Sequence, residues 1–228
     1  MLAIIPARCG SKGLKDKNIV MINGKPLMDY TISVAIASKC FDTIMVSTDS
    51  EQYAEIAMKC GAEVPFLRSK DTSGDDAGSW DVVREILFNY KQEGTEYDYV
   101  ALLQPTSPLR SVVDIQMAVK MICDPNIHNV VSVTETEHPV QWSFSLPETL
   151  SMFEYSKSPY NILRRQDLEK YYQENGAIYI VDAKRIIDKN YNLYSDDCYA
   201  YIMPRERSID IDSKLDLVIL KAMLDENV

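Results

Sequence analysis

Short apolar runs alternate with helix-patterned segments through the first half of the chain, and that alternation most restricts the fold. Leu2 to Pro6, Thr43 to Ser47, Ala62 to Leu67 and Tyr97 to Leu103 each read as a buried strand. Ile19 to Ile22 looks extended, and Asn23-Gly24 makes a turn. Pro26 opens a helix through about Lys39. Asp49 or Ser50 caps a second, Glu51 to Cys60, which Gly61 closes, and Ser79 caps a third to about Gln92. Val112 to Cys123 is again helical. This is the pattern of a doubly wound, mostly parallel α/β sheet. Such sheets bind ligands beyond the carboxyl ends of their strands, so the loops after strands one, three and four are where a site is expected.

The rhythm then changes. Asn129 to Thr134 is a strand, but His138 to Tyr172 shows no helix–strand alternation. It holds Trp142, Phe144, Phe153, Tyr155 and Tyr160, then the basic pair Arg164-Arg165. So many aromatics argue against full exposure. Residues 135–173 therefore read as an excursion from the main sheet, expected to be hairpins that pair with another subunit. The main fold resumes with a strand at Gly176 to Val181, a short helix at Asp182 to Asp188, a strand at Tyr199 to Met203 and a closing helix at Ser213 to Leu224. Residues 1–228 thus read as one domain carrying a small insertion.

A formal net charge of -10 argues against general nucleic-acid binding, which needs a basic face. No apolar run approaches the length of a membrane span, and Leu2 to Pro6 lacks the form of a signal peptide. The five cysteines, Cys9, Cys40, Cys60, Cys123 and Cys198, are scattered, odd in number and without zinc spacing; they read as reduced thiols of a cytoplasmic protein. His128 and His138 form no metal pattern.

Against that acidic background a cationic loop stands out. After the first strand come Gly10, Ser11 and Gly13 with Arg8, Lys12, Lys15 and Lys17. Glycines let backbone N–H groups approach phosphate oxygens, and the cations neutralise them. The loop matches neither G-x-x-x-x-G-K-[ST] nor G-x-G-x-x-G. Taken alone it fits a phosphate site and a solvated basic turn equally well. Near the other end, Asp210 and Asp212 fall two apart, which on an extended segment places both carboxylates on one face and Ile209 and Ile211 on the other. Alone, Asp-x-Asp is also an ordinary polar strand edge. Cations in one place and metal-holding carboxylates in another are together what a nucleoside triphosphate site needs. Gln104 and Arg110 flank a turn made rigid by Pro105 and Pro108, and Arg68 ends the third apolar run near the expected crevice.

These segments resemble the CMP-sialic acid synthetases (acylneuraminate cytidylyltransferases). The resemblance rests on Ala7-Arg8 through Ser11-Lys12-Gly13-Leu14 and Lys17-Asn18, on Leu103-Gln104-Pro105-Thr106-Ser107-Pro108-Leu109-Arg110, on Asn175 to Tyr179 and on Ser208 to Asp212. Arg164-Arg165-Gln166-Asp167 with Tyr171-Tyr172 also fits. The chain departs from the family at Lys15, where members often have proline, and at Cys9, where they often have a small residue. The resemblance implies a Rossmann-like nucleotidyltransferase that activates a nine-carbon 2-keto (nonulosonic) sugar acid with CTP and releases pyrophosphate. It implies that Arg8, Lys12 and Lys17 bind the triphosphate and that Asn18 contacts the nucleotide. Arg68 and Ser79 would line the cytidine pocket, with Gln104 facing the sugar. Arg164, Arg165, Gln166 and Asn175 would be sugar- and dimer-side residues, and Asp210 and Asp212 would hold a magnesium ion (Mg2+). A homodimer is implied, the excursion of one subunit reaching its neighbour's site.

Sialic acid is the default acceptor, with legionaminic and pseudaminic acids as alternatives. From other classes, a metal-dependent nucleotide-sugar glycosyltransferase and an inactive nucleotide-binding homologue compete. A glycosyltransferase usually carries its Asp-x-Asp motif mid-chain, and an inactive homologue need not keep both the loop cations and the aspartates. A dehydrogenase is disfavoured by the spacing of the first loop.

Overall fold

A computed structural model describes residues 1–10, 13–74 and 78–225. Its elements in chain order are β1 (Leu2–Pro6), the hairpin strands β2 (Met21–Ile22) and β3 (Lys25–Pro26), α1 (Leu27–Ser38), β4 (Thr43–Ser47), α2 (Glu51–Lys59), α3 (Lys70–Ser73), α4 (Ser79–Gln92), β5 (Tyr99–Leu102), α5 (Val112–Met121), β6 (Asn129–Glu135), α6 (Phe153–Ser156), β7 (Tyr172–Asp182), β8 (Cys198–Ile202) and α7 (Lys214–Asp225). Six strands form one sheet in the order β4-β1-β5-β7-β6-β8. β1 pairs in parallel with β4 and β5, and β6 with β8; only β7 runs against its neighbours. The expected mostly parallel α/β architecture is what the chain adopts.

The strands are apolar on both sides because both sides are covered. Ala3 and Ile5 of β1 pack with Val46, Ala101 and Ile180 beneath α1, α2 and α5. Leu2 and Ile4 point the other way, onto Val82, Val83 and Ile86 of α4. From β1 the chain goes to β4 on one side and returns to β5 on the other. That reversal opens a crevice at the carboxyl ends of these three strands.

Helix ends follow local chemistry. The Ser50 hydroxyl accepts the Tyr53 N–H to cap α2. Ser111 and Asp114 form a reciprocal capping box on α5. Gly78, not Ser79, is the cap of α4, and Ser79 is its first helical residue.

Three expectations are corrected. Ala62 to Leu67 is not a strand: Glu63 alone bridges to Met45, and Pro65 has no N–H with which to extend the ladder. Asp182 to Asp188 forms turns instead of a helix, with the Asp182 carboxylate accepting the N–H groups of Lys184 and Arg185. The excursion contains no hairpin among the described residues. Residues 136–171 form turns, two 3-10 turns and the single turn α6, because Pro139, Pro147 and Pro159 interrupt any strand ladder. Trp142 Nε1 donates to the Tyr160 carbonyl at 3.2 Å, and Phe144 stacks on Tyr155. Even so, Leu150, Phe153 and Ile162 stay exposed.

Candidate active site

The crevice at the strand ends is a cleft of about 450 Å³. Arg8 follows β1, Gln104 follows β5, Ser79 and Val82 enter from the start of α4, and Asp210 and Asp212 close the far side. Lys17, Asn18 and Arg68 complete its charged and amide lining. Residues spread over two hundred positions of sequence are thus gathered by one sheet edge. Lys12 lies outside the described residues.

The loop after β1 is tethered at both ends. Cys9 N–H donates to Asp49 Oδ1 at 2.8 Å, and the Tyr53 hydroxyl donates to Asp16 Oδ1 at 3.0 Å. Cys9 is an exposed loop thiol. Arg8 Nη1 reaches the Ser73 carbonyl at 3.5 Å. Asn18 is buried; its Nδ2 donates to the Arg8 carbonyl at 3.3 Å, and its Oδ1 has no hydrogen-bond partner among the described residues. A buried carboxamide oxygen at a cleft wall is a ready acceptor for a ligand. Arg68 is pinned to the end of β4, donating from Nε to Ser47 Oγ at 3.1 Å and from Nη2 to the Ser47 carbonyl at 2.9 Å. Burial lowers its pKa, while Asp49 and Glu85 act to raise it.

On the opposite wall, residues 208–212 are irregular and not a strand. Both carboxylates still line the cleft, and Ile211 is buried behind them against Ile22, Leu27 and Leu220. Ile211 N–H donates to the Thr106 carbonyl at 2.9 Å. The Asp210 pKa is raised by removal from water and by repulsion from Asp212 and Asp216, against a Thr106 hydrogen bond and Lys17. Gly13 sits so close to this segment that a Cβ there would lie 2.9 Å from the Asp212 carbonyl oxygen.

The Gln104 end is built from beneath. Arg110, fully enclosed, donates from Nη1 to the carbonyls of Gln104 and Ala177 and from Nη2 to Thr31 Oγ1 at 2.7 Å. A bulge in β7 shifts its register against β6 between Val131 and Val133. Gly176, at φ +71°, brings the bulge to within 3.2 Å of Gln104 Oε1, measured to an added Cβ.

Asn175 is not in the cleft. It is buried under the bulge, with Oδ1 accepting from Ser132 Oγ at 2.6 Å and Nδ2 donating to Ser208 Oγ at 2.9 Å. Arg164, Arg165 and Gln166 lie exposed in the excursion; Arg165 and Gln166 line a separate depression of about 270 Å³ with Lys170 and Tyr171. Sequence reasoning did not single out Thr106, Thr72 or Val82, which also line the cleft. Thr106 had a readable signal, two residues after Gln104 in the same rigid turn. His128 faces Asp182, His138 lies in the excursion, and neither lines the cleft.

A cationic loop facing paired carboxylates at the strand ends of an α/β sheet is an arrangement suited to holding a nucleoside triphosphate. Residues 2–202 match the family model described as Cytidylyltransferase, and the chain belongs to that family. It is 41% identical over 219 residues to an N-acylneuraminate cytidylyltransferase of Escherichia coli, covering 95% of this chain and 50% of that protein. It is 38% identical over 237 residues to a CMP-N,N'-diacetyllegionaminic acid synthase of Legionella pneumophila, covering 100% and 97%. A pseudaminic acid cytidylyltransferase of Campylobacter jejuni is 34% identical over 226 residues, covering 99% and 97%. The chain therefore spans about half the length of the Escherichia coli relative and nearly all of the other two. Among solved structures, CMP:2-keto-3-deoxy-manno-octonic acid synthetase complexed with CTP superposes with a TM-score of 0.72 at 16% identity, over 100% of this chain and 99% of that one. A 4-diphosphocytidyl-2C-methyl-D-erythritol synthase of Anaerococcus prevotii gives 0.66 at 14% identity, over 98% and 97%. These two likenesses establish the fold alone.

Proposed function

We propose that the chain activates a nine-carbon 2-keto sugar acid with CTP, forming the CMP-sugar and pyrophosphate. The observation that carries this is the single cleft in which Arg8 and Lys17 face Asp210 and Asp212. The names of its relatives supply the acceptor class: N-acylneuraminate, diacetyllegionaminate and pseudaminate are the acids in question. N-acylneuraminate is the first to test. The near-complete coverage of the Legionella relative favours legionaminate as the second.

In this reading the sugar's anomeric 2-hydroxyl oxygen attacks the α-phosphorus of CTP as its proton passes to the Asp212 carboxylate. The bond to the β-phosphate bridging oxygen breaks, and pyrophosphate leaves with that electron pair. Arg8 and Lys17, together with Lys12, bind the triphosphate and offset the charge that grows on the departing group. Asn18 Oδ1 and Arg68 orient the nucleotide, Ser79 at the start of α4 bounds its pocket, and Gln104 orients the sugar. Asp210 and Asp212 fit a hard divalent cation, being two cleft-lining carboxylates open to further oxygen donors. They would hold Mg2+, which when bound supplies phosphate charge neutralisation and makes the attacking hydroxyl more acidic.

The exposed apolar residues of the excursion, with Arg164, Arg165 and Gln166 among them, support a homodimer in which a second copy covers this surface. Five free thiols support action in the cytoplasm; no helix among the described residues is long and apolar enough to cross a membrane. The test of function is pyrophosphate release from CTP and Mg2+ with each acid in turn. Release with one acid is the expected result. CTP binding without release from any acid sinks the proposal, and sedimentation as a monomer at micromolar concentration sinks the dimer.

A further inference from the structure

We propose that Asp114 and Arg207 are positioning residues for the paired carboxylates: their ion pair fixes the backbone that presents Asp210 and Asp212. The inference rests on the reading of those two residues as metal ligands.

Asp114 is fully buried on the first turn of α5. Capping that helix needs only its exchange with Ser111, whose N–H and hydroxyl reach Oδ2 at 2.9 and 2.7 Å. The carboxylate does more. It takes a two-pronged contact from Arg207, Nε to Oδ2 at 2.7 Å and Nη2 to Oδ1 at 2.8 Å, and a hydrogen bond from the Tyr201 hydroxyl at 3.0 Å. These donors hold its pKa below the usual aspartate value despite burial, so it is charged at neutral pH.

Arg207 ends a 3-10 turn, Arg205–Arg207, three residues before Asp210. The segment that follows has no strand ladder to place it. Ser208 Oγ accepts from Asn175, Ile211 N–H donates to Thr106, and the Ile211 side chain is buried. Its other anchors lie at the aspartates or downstream of them, where Lys17 donates to the Ile211 carbonyl and to Asp212 and the Asp212 N–H donates to Asp216. On the upstream side the 3-10 turn carries two charged anchors, Arg205 on the exposed Glu137 and Arg207 on Asp114, and only the second holds a buried carboxylate. A planar fork on a carboxylate sets direction as well as distance, so it fixes the angle at which the chain leaves β8 for the cleft. Removing Arg207 leaves Asp114 its Ser111 and Tyr201 donors. The α5 cap therefore survives, and the disturbance concentrates on the aspartate segment.

The experiment measures Mn2+ binding by the electron paramagnetic resonance signal of the free ion, on the full chain with CTP and without acceptor. Arg207→Met is expected to weaken Mn2+ binding about tenfold, the scale seen when groups supporting metal ligands are removed. Arg207→Lys, which keeps one donor, should weaken it less. CTP affinity without metal, set by Arg8 and Lys17, should stay unchanged. In turnover the metal requirement should rise while kcat at saturating metal recovers. A merely structural role lowers the melting temperature and leaves Mn2+ affinity alone, and that result in a folded Arg207→Met protein overturns the proposal. If Arg207→Met does not fold, Asp114→Asn and Arg207→Lys make the same comparison, and unchanged Mn2+ affinity in both overturns it equally. Asp210→Asn and Asp212→Asn separate the two layers. If they leave Mn2+ binding intact, the metal reading itself fails; if they abolish it while the Arg207 variants bind normally, only the positioning role fails.

Discussion

The Lys17 ammonium stands 2.8 Å from Asp212 Oδ1 and 3.1 Å from the Ile211 carbonyl, joining the cationic loop to the aspartate segment. The pair is lopsided: Lys17 is largely shielded, whereas 74% of the Asp212 side chain is exposed. Exposed ion pairs stabilise by about 0.2–1 kcal/mol. Asp212→Ala should therefore leave the melting temperature within a few degrees of wild type. Turnover should nonetheless fall by roughly 10²–10³-fold or more, as when a charge-stabilising group is deleted from an active site. Pyrophosphate release beside a thermal melt checks both halves, and retained activity in a folded variant would remove Asp212 from the mechanism.

Asp210 works against the fold it belongs to. Withdrawal from water, with repulsion from Asp212 and Asp216, sets its pKa above the ordinary 3.8. A carboxyl raised in the folded state binds its proton more tightly there than in the unfolded chain. Its stabilising contribution is complete below the unfolded pKa and is lost as pH rises through the folded one. At pH 7 the charge is a cost. Asp210→Asn should melt at a higher temperature than wild type at pH 7, with the gap closing toward about pH 3.9, while turnover is lost. Thermal melts across pH without metal decide this, and a gap that does not change with pH contradicts the assigned cause.

Much of this was legible in the residues, for reasons that differ by region. The runs around Ile4, Val46 and Ala101 announced strands covered on both faces, because parallel sheets bury both. The loop cations and the aspartates were visible as local departures from an acidic chain. What stayed hidden depends on contacts far apart in sequence. No local pattern tells that Asn175 turns inward under a bulge, or that Arg207 reaches Asp114 across 93 residues. Asp210 and Asp212 reach the cleft as expected, but from an irregular segment steered by the burial of Ile211, not by strand alternation. The excursion misled because its aromatics suggested paired strands, whereas in the chain Phe144 and Tyr155 stack across turns.

Gly13 sets how closely the two functional segments approach. A methyl group there meets the Asp212 carbonyl oxygen at 2.9 Å, below any ordinary carbon–oxygen contact. Both neighbours are backbone, so relief requires the loop after β1 or the aspartate segment to move. Displacements of about 1 Å near reacting groups cost about 10²-fold in rate. Gly13→Ala is expected to lose activity on that scale and to keep its melting temperature, since the contact lies in an exposed loop outside the core. Wild-type kinetics in this variant would show that the loop and the aspartates need not touch for turnover.

Arg110 is where the stability of the site is concentrated. Burial pulls its pKa down to about 9, with Asp114 acting in the opposite direction, so it remains a cation at pH 7. Its donors serve the carbonyls of Gln104 and Ala177 and the Thr31 hydroxyl. Arg110→Met leaves the Ala177 carbonyl and the Thr31 oxygen without their Arg110 donors, each at about 1–3 kcal/mol, while the Gln104 carbonyl keeps the Ser107 N–H and the Thr31 hydroxyl. A loss of about 3 kcal/mol or more is expected, equivalent to a melting temperature lower by about 6–12 °C for a chain of this size. The Gln104 turn loses its tie to Arg110 at the same time, so KM for the acceptor should rise more than KM for CTP. Arg110→Lys should rescue neither, because an ammonium lacks the planar spread to bridge β7 and the turn together. Melts and separate KM values for CTP and acceptor test this, and a lysine variant equal to wild type in both would show that charge at this position, not the shape of the guanidinium, holds Gln104 in place.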